Sequence, residues 1–326
     1  MNQLDWQPSA SLDVLERRAQ LLADVRRFFY ARDVMEVDTP ILSQAAPTAP
    51  YLDSFHTEFD PLSSSAQRYF LQTSPEFAMK RLLAAGLTDI FQIAKVFRNS
   101  ELGKHHNPEF TMIEWYRASL NYQGLMNEVD KLLQDVAQLP PAKFFSYARL
   151  FQQYVDIDVR TCNDVSIREK AFDLIQSLPV DWETDRDGWL ELLMSEVIEP
   201  KLVFINTPII VYDFPASQAQ LAKLRQDEVG HMVAARFEVY AGGLELANGY
   251  DECTDADELR QRFKTDNDKR QNQGLPTMPI DIRLLASIED GLPACTGVAL
   301  GLDRLLMLMT QQASIEQVQA FSFNKS

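Results

Sequence analysis

Residues 97–117 read Phe-Arg-Asn-Ser-Glu-Leu-Gly-Lys-His-His-Asn-Pro-Glu-Phe-Thr-Met-Ile-Glu-Trp-Tyr-Arg, a polar centre flanked by two alternating limbs. Apolar and polar residues alternate near period two on both sides, which predicts two half-buried strands around a loop. Side chains two apart on a strand share a face, so Glu114 and Tyr116 line one strand while Arg98 ends its neighbour. This surface offers a cation for phosphate, a carboxylate for an ammonium group and an aromatic ring.

The same stretch resembles motif 2 of the class II aminoacyl-tRNA synthetases, in the version of the lysyl enzymes, where His-Asn-Pro-Glu-Phe-Thr-Met follows Phe-Arg-Asn. Residues 22–42, ending in Glu-Val-Asp-Thr-Pro, are similar to motif 1, and residues 297–310, beginning Gly-Val-Ala-Leu-Gly-Leu-Asp-Arg, are similar to motif 3. Three motifs in this order imply an α+β fold. We expect a class II synthetase-like catalytic core, an antiparallel sheet flanked by helices.

The position of motif 1 in the sequence favours one branch of this family. Motif 1 begins about two dozen residues into the sequence, so we expect no anticodon-binding domain of the OB type. The chain then resembles the family of shortened lysyl-tRNA synthetase paralogues that attach (R)-β-lysine to elongation factor P. Because the motifs run from one end to the other, we expect one catalytic domain over residues 1–326, with motif 2 at about 91–117 and an insertion at about 120–205.

The amino-acid composition excludes several classes of protein. Of the 326 residues, 46% are hydrophobic and 24% charged, which is ordinary globular composition. There is no apolar run of membrane-spanning length and no signal-peptide pattern, so we expect a cytoplasmic protein with no membrane partner. The three cysteines show no paired spacing, so we expect them to be reduced thiols. A net charge of −16 argues against a large tRNA interface.

Local patterns predict several elements. Residues 12–30 form an amphipathic helix with Leu15, Leu22 and Phe29 in its stripe, together with Ala19 and Val25. Residues 43–68 indicate a loop. Ser74 caps a helix that Pro75 opens and that stops at Gly86. The insertion contains helical patterns over residues 126–139, 167–178 and 189–197.

Residues 236–252, Arg-Phe-Glu-Val-Tyr-Ala-Gly-Gly-Leu-Glu-Leu-Ala-Asn-Gly-Tyr-Asp-Glu, predict a hairpin. With its turn centred near Ala241 and Gly242, Glu238 lies opposite Glu245. Facing carboxylates repel unless a cation lies between them, and Mg²⁺ is usually held by one or two carboxylates plus substrate phosphates. The alternative from residues alone is a pair of solvated glutamates on an exposed face.

The family resemblance assigns roles to these residues. It implies ATP and Mg²⁺ as co-substrate and cofactor, β-lysine as amino-acid substrate, elongation factor P as acceptor, and a homodimer through motif 1. The catalytic residues are Arg98 on the substrate carboxylate and α-phosphate, and Arg304 on the γ-phosphate. The ATP-binding set is Arg98, Asn99, Ser100, Glu101, His106, Asn107, Phe110, Glu245, Leu246, Gly301 and Arg304; the substrate set is Ser74, Pro75, Glu76, Glu114, Tyr116, Asn248, Glu252 and Ala299; the metal ligands are Glu238 and Glu245.

Two positions depart from the family pattern. The family has Phe-Arg-x-Glu, and here Ser100 takes the place of that glutamate, with Glu101 one position later. Either the strand ends near Asn99 and Glu101 turns inward, or a nucleotide contact is lost. In motif 3, Ala299 replaces the glycine of lysyl enzymes, and its methyl group should reshape the pocket for an amino group displaced by one carbon.

Three other functions compete with this interpretation. One is a tRNA-charging enzyme, which the acidic charge disfavours. Another is an ammonia-dependent asparagine synthetase, against which the His-Asn-Pro-Glu-Phe-Thr-Met run and Glu252 favour lysine. The third is a non-catalytic regulatory paralogue; Ser100 supports it, while Arg98, Glu245 and Arg304 are all retained.

Overall fold

The computed structural model describes residues 6–61, 65–179 and 181–326. The chain forms two compact units. The first combines residues Met1–Asn121 with Cys253–Ser326, and the second is Tyr122–Glu252. The interpretation as a single domain with an insertion at 120–205 stays a prediction.

The first unit is built on two sheets. The larger has the order β1-β5-β6-β12, in which β1 is parallel to β5 and the other neighbours are antiparallel. A small antiparallel sheet has the order β2-β4-β3. Numbered along the chain, the strands are β1 (Met35–Glu36), β2 (Leu42–Ser43), β3 (His56–Phe59), β4 (Gln67–Leu71), β5 (Asp89–Phe97), β6 (Glu109–Arg117) and β12 (Thr296–Gly301).

Helices surround these strands. Most begin at a residue whose side chain accepts a backbone N–H, as Ser11, Asp255 and Asp281 do, which satisfies donors that the first turn leaves unpaired. The helices of this unit are α1 (Leu12–Tyr30), α2 (Glu76–Ala84), α8 (Ala256–Asn272), α9 (Ile282–Gly291) and α10 (Leu302–Thr310).

The second unit has a sheet of order β11-β10-β8-β7, with β9 added along β10. Strands β7 and β8 are parallel, and the other pairs are antiparallel. Helices pack on it around a core that includes Trp189 and Phe151. Its elements are α3 (Tyr122–Ala137), β7 (Lys143–Ser146), α4 (Tyr147–Tyr154), α5 (Asp164–Leu174), α6 (Arg186–Leu193), a π-helical turn (Met194–Ile198), α7 (Glu199–Leu202), β8 (Ile209–Pro215), β9 (Leu224–Gln226), β10 (Met232–Ala241) and β11 (Leu244–Asp251).

Helix α1 has the predicted bounds of residues 12–30. Its buried stripe differs from the predicted one. Val25 and Phe29 are buried as expected, but Leu15 and Leu22 are half-buried and Ala19 is exposed. The stripe instead runs through Val14, Leu21, Val25, Phe28 and Phe29, because the helix turns this neighbouring face toward the core.

The prediction of a loop over residues 43–68 was partly wrong. Strand β3 forms there by pairing with β4, and its side chains are all exposed, so it lacks the apolar alternation that signals a strand. Residues 62–64 of that segment lie outside the described residues.

The start of α2 is also shifted from the prediction. The helix begins at Glu76, one residue late, although the Ser74 hydroxyl still accepts the Glu76 backbone N–H at 3.0 Å. Gly86 follows the helix with φ of 107°, as expected for a terminating glycine. The three helices predicted in the insertion are confirmed as α3, α5 and α6.

The structure confirms the predicted fold class, a mixed α and β protein whose sheet is mostly antiparallel and flanked by helices. Within the described residues, every helix is too short or too polar to span a bilayer.

Candidate active site

The hairpin of the second unit has a different register from the predicted one. The turn is Gly242–Gly243, whose φ angles of 59° and 79° suit the two-residue turn that joins β10 to β11. A bulge between Val239 and Tyr240 then shifts the pairing. Glu238 therefore lies opposite Asn248, and Tyr240 lies opposite Glu245. The prediction that the two glutamates face each other was wrong; they share one face of the hairpin as diagonal neighbours.

Glu238 is buried and already has two partners on its own strand. One carboxylate oxygen accepts from the Arg236 guanidinium, and the other accepts the Tyr240 hydroxyl at 2.5 Å. These three residues alternate along β10, so they share a face. Although burial acts to lower the pKa of Arg236, nearby acids, Glu238 foremost, raise it above its usual value. The Glu238 carboxylate is thus held in a fixed orientation.

This face of the hairpin offers carboxylate ligands for a divalent cation. Among the described residues, no group of three or more His, Cys, Asp or Glu is arranged to hold a metal. Glu238 and Glu245 supply two carboxylates, and each oxygen of Glu238 retains a lone pair beyond the one that accepts a hydrogen bond. Mg²⁺ takes one or two carboxylates and completes its octahedron with phosphate oxygens and water. The pair fits Mg²⁺ that arrives with a nucleotide.

The remaining predicted residues of this unit lie on β11 and just after it. Leu246 is buried and Asn248 is half-buried, with its side-chain oxygen 3.4 Å from Arg236 Nε. Glu252 is buried, 2% exposed, and its backbone forms a bridge with Ala222. The structure thus places four predicted polar residues, Glu238, Glu245, Asn248 and Glu252, along one short hairpin.

In the first unit, Glu114 is the centre of a buried polar cluster on β6. It accepts the Ser74 hydroxyl at 2.6 Å and the Tyr116 hydroxyl at 2.5 Å. Glu76, on the first turn of α2, pairs with the Lys80 ammonium at 2.5 Å. Lys80 is only 1% exposed. The structure therefore brings together the predicted substrate residues Ser74, Glu76, Glu114 and Tyr116, and adds a lysine that the sequence reasoning missed.

The charge of Glu114 is unfavourable in the ligand-free protein. Burial first, and then repulsion from Glu76, raise the pKa of Glu114 to about 7, although the hydrogen bonds from Ser74 and Tyr116 act to lower it. Lys80 is paired with Glu76, and its one positive charge does not balance both carboxylates. An ammonium group on a ligand would supply a second positive charge.

Arg98 follows the end of β5 at Phe97. Its guanidinium lies over the Phe110 ring, 5.1 Å from the centroid, and its buried Nε donates to no acceptor among the described residues. Ser100 adopts a left-handed conformation, φ 65°, and the chain turns so that Glu101 Oε1 lies 3.7 Å from Arg98. Glu101 thus turns toward Arg98, and its contact with the nucleotide stays a prediction.

Arg304 lies near the start of α10, beside the loop between β5 and β6. Its Nη2 donates to His106 Nε2 at 2.7 Å, and its Nε donates to the His105 carbonyl at 3.3 Å. A guanidinium has no acceptor, so His106 accepts here through an unprotonated Nε2. Burial, and then the charge of Arg304, lower the pKa of His106, which agrees with a neutral imidazole.

Asn107 and Asn99 are held by the protein itself. The Asn107 side chain donates to the Glu109 carbonyl at 2.6 Å and accepts from the Phe323 backbone N–H at 3.2 Å. Asn99 donates to Asp53 at 2.8 Å. Both asparagines shape the loop, and their predicted nucleotide contacts stay predictions.

One ion-pair network near motif 3 had no signal in the sequence. Arg18 of α1 donates to Asp303 at 2.5 Å and to the Thr111 hydroxyl at 2.6 Å, and the Thr111 backbone N–H donates to the other Asp303 oxygen at 2.6 Å. Asp303 is 1% exposed. This network fixes the residue immediately before Arg304.

Ala299 lies on β12 opposite Glu114, and Gly301 lies opposite Met112. Residues directly opposite on paired strands share a face, so the Ala299 methyl group projects from the face that carries the Glu114 carboxylate. Ala299 and Phe110 both pack against the cluster of Ala94, Val96 and Met112. Its predicted role as the floor of the substrate pocket stays a prediction for Ala299.

Comparisons with known proteins agree with this arrangement. The family model described as tRNA synthetases class II (D, K and N) matches residues 1–325. The chain is 49% identical over 322 residues to the elongation factor P–(R)-β-lysine ligases of Salmonella paratyphi B and of Klebsiella pneumoniae. Each alignment covers 98% of this chain and 98% of the relative.

Proposed function

The chain belongs to the class II tRNA synthetases of the D, K and N group, and we propose that it activates (R)-β-lysine with ATP and transfers it to a lysine of elongation factor P. Its resemblance to ligases of that name extends over nearly the whole chain at 49% identity. An acceptor of this kind, a translation factor, places the reaction in the cytoplasm.

The observation that carries the proposal is the buried carboxylate cluster of the first unit. Glu114 and Glu76 share the neighbourhood of one internal cation, Lys80, and Glu114 retains a proton near neutral pH, its pKa raised to about 7 by burial and by Glu76. A substrate ammonium replaces that proton and restores the charge balance. A diamino acid such as β-lysine carries an ammonium that can bind this cluster.

Activation needs no general base. The substrate carboxylate attacks the α-phosphorus of ATP, a new O–P bond forms, and pyrophosphate leaves with the electrons of the broken P–O bond. Catalysis is then a matter of orientation and charge stabilisation. Arg98 holds the carboxylate and α-phosphate through its guanidinium, whose Nε has no acceptor among the described residues. Arg304 gives up its hydrogen bond to His106 and binds the γ-phosphate.

Mg²⁺, brought by the nucleotide, fits the carboxylates of Glu238 and Glu245. When bound it would neutralise charge on the phosphate oxygens. The protein contributes the orientation of Glu238, which Arg236 and Tyr240 fix before any ligand arrives. Adenine lies on Phe110, and Asn99, Ser100, Glu101, Asn107, Leu246 and Gly301 complete the nucleotide contacts.

The acceptor is a protein amine. The activated acyl carbon is attacked by a lysine nitrogen, an amide bond forms, AMP leaves, and the two protons lost by the ammonium go to solvent. A net charge of −16 disfavours a polyphosphate acceptor such as tRNA. The enzyme acts as a homodimer through α1 and the segment that follows it to residue 42, where Leu12, Tyr30 and Met35 are exposed apolar side chains.

ATP–pyrophosphate exchange across a panel of amino acids tests the activation step. (R)-β-Lysine should support the fastest exchange, α-lysine should support slower exchange, and aspartate should support none. Exchange with aspartate but with neither lysine isomer would instead indicate an asparagine synthetase-like enzyme.

A further inference from the structure

Helix α6 of the second unit carries two acids that activation does not use. Asp187 and Glu191 are four residues apart, so they lie on one face of the helix. The opposite face is buried in the core through Trp189, Leu190 and Leu193. Asp187 accepts the Ser217 hydroxyl at 2.7 Å, which fixes this acidic face toward the turn that follows β8.

The acidic face lies near the Arg236–Glu238 pair of β10. Burial is the largest cause, and it raises the pKa of Glu191 above its usual value. The charges of Asp187 and Glu238 also act to raise this pKa, whereas the guanidinium of Arg236 acts to lower it. Arg236 also donates to the Gln218 carbonyl at 3.1 Å, which holds the same turn. The charges of Asp187, Asp185 and Glu238 thus act on Glu191 against that of Arg236, so the surroundings of Glu191 are negative.

A buried hydroxyl lies close enough to this cluster to be affected by its charges. Tyr147 is 1% exposed, and its hydroxyl makes no hydrogen bond among the described residues. Burial first, and then the charge of Glu238, raise the pKa of Tyr147 well above its usual value, with further contributions from Glu191 and Asp187. The side-chain nitrogen of Gln218, a residue 8% exposed, also has no acceptor in the part of the chain that the structure describes. Buried polar groups without partners are costly, so they commonly mark a binding site.

Resting on the protein-acceptor function above, we propose that Asp187, Glu191 and Tyr147 form a capture site for the side-chain ammonium of the acceptor lysine. An ammonium carries three donors and a positive charge. The two carboxylates accept and neutralise it, and the Tyr147 oxygen accepts a third hydrogen bond. Gln218 donates to a backbone carbonyl of the acceptor peptide. Glu191 is in contact with solvent, so the lysine reaches the site from outside the unit.

The test compares steady-state transfer to elongation factor P with ATP–pyrophosphate exchange. In the Asp187→Asn/Glu191→Gln double variant, KM for elongation factor P should rise at least about tenfold, as loss of charge-assisted contacts implies. Exchange with β-lysine and trapping of the adenylate by hydroxylamine, a small nucleophile that is neutral at pH 8, should match the unmodified protein. Glu196→Gln removes an exposed acid from the next turn of the same segment and should leave KM unchanged.

Tyr147→Phe separates a binding role from a structural one. Because the hydroxyl has no partner in the ligand-free protein, its removal should leave the melting temperature unchanged or raise it. KM for elongation factor P should still rise, by about fivefold for one hydrogen bond. An unchanged KM in both the double variant and Tyr147→Phe would overturn the capture site, and so would a fall in exchange that equals the fall in transfer. If the unmodified enzyme adds no mass to elongation factor P, the proposed function itself fails, which is a separate outcome.

Discussion

Replacing Glu114 by glutamine should stabilise the ligand-free protein at pH 8 while abolishing β-lysine activation. Burial and Glu76 raise the pKa of Glu114 from its usual 4.5 to about 7. Between these values the folded state binds more protons than the unfolded state, so stability falls as pH rises from 4.5 to 7. At 1.36 kcal/mol per pKa unit, the full penalty above pH 7 is about 3 kcal/mol. Glutamine carries no charge, so the Glu114→Gln variant avoids this penalty.

The assay is urea unfolding at pH 5 and pH 8. We expect Glu114→Gln to gain about 1–3 kcal/mol in the free energy of unfolding at pH 8, and to show little change in that free energy at pH 5. The lower end of the range allows for poorer hydrogen bonds from Ser74 and Tyr116 to the amide. The matched control is Glu109→Gln on the same strand, whose partner Lys95 is exposed, so no pH-dependent gain should follow.

Substrate binding to the unmodified protein supplies a second readout. Below pH 7, an ammonium that binds beside Glu114 should displace its proton, and calorimetry in buffers of different ionisation enthalpy should detect up to one proton released. Above pH 8 this release should vanish. Equal destabilisation of Glu114→Gln at both pH values, or binding without proton release at pH 6, would refute the charge argument.

Three further predictions concern the activation step, the choice of substrate and the oligomeric state. Arg98→Ala and Glu245→Ala should each lower ATP–pyrophosphate exchange about 10²–10³-fold without loss of the folded circular dichroism spectrum, and near-normal exchange in either variant would remove that residue from the mechanism. Ala299→Gly should shift the kcat/KM ratio toward α-lysine by no more than the ~1–3 kcal/mol that one methylene-sized change is worth, and an unchanged ratio would mean that the Ala299 methyl does not shape the pocket. Sedimentation should show a dimer at micromolar concentration, which substitution of the exposed Met35 by aspartate should weaken; a monomer would contradict the role assigned to α1 and the segment after it.

The sequence predicted elements whose signals are local. Helix α1 has a capping serine, Ser11, and a 3.6-residue apolar period, and its bounds were right. Strands β5 and β6 were predicted from a period near two, and they pair as expected. The prediction that both are half-buried was wrong for β6, which is buried on both faces from Thr111 to Arg117. Strand β3 was missed because all four of its side chains are exposed, so pairing with β4, rather than burial, holds it in place.

The candidate site was predicted as a set of residues but not as a geometry. The register of β10 and β11 depends on a bulge at Val239 and Tyr240, and a one-residue shift has no compositional signal. The pairing of Arg18 with Asp303 joins residues 285 apart in sequence, so only the fold reveals it. The contact of Lys80 with Glu76 could have been predicted, because Lys80 lies four residues after Glu76 on a predicted helix.

The most direct test of the account is the intact mass of elongation factor P after incubation with the enzyme, ATP, Mg²⁺ and (R)-β-lysine. The account predicts the addition of one lysyl group to one lysine side chain, dependent on ATP, while lysine tRNA under the same conditions stays essentially uncharged. Efficient charging of the tRNA, with no mass change on elongation factor P, would contradict it.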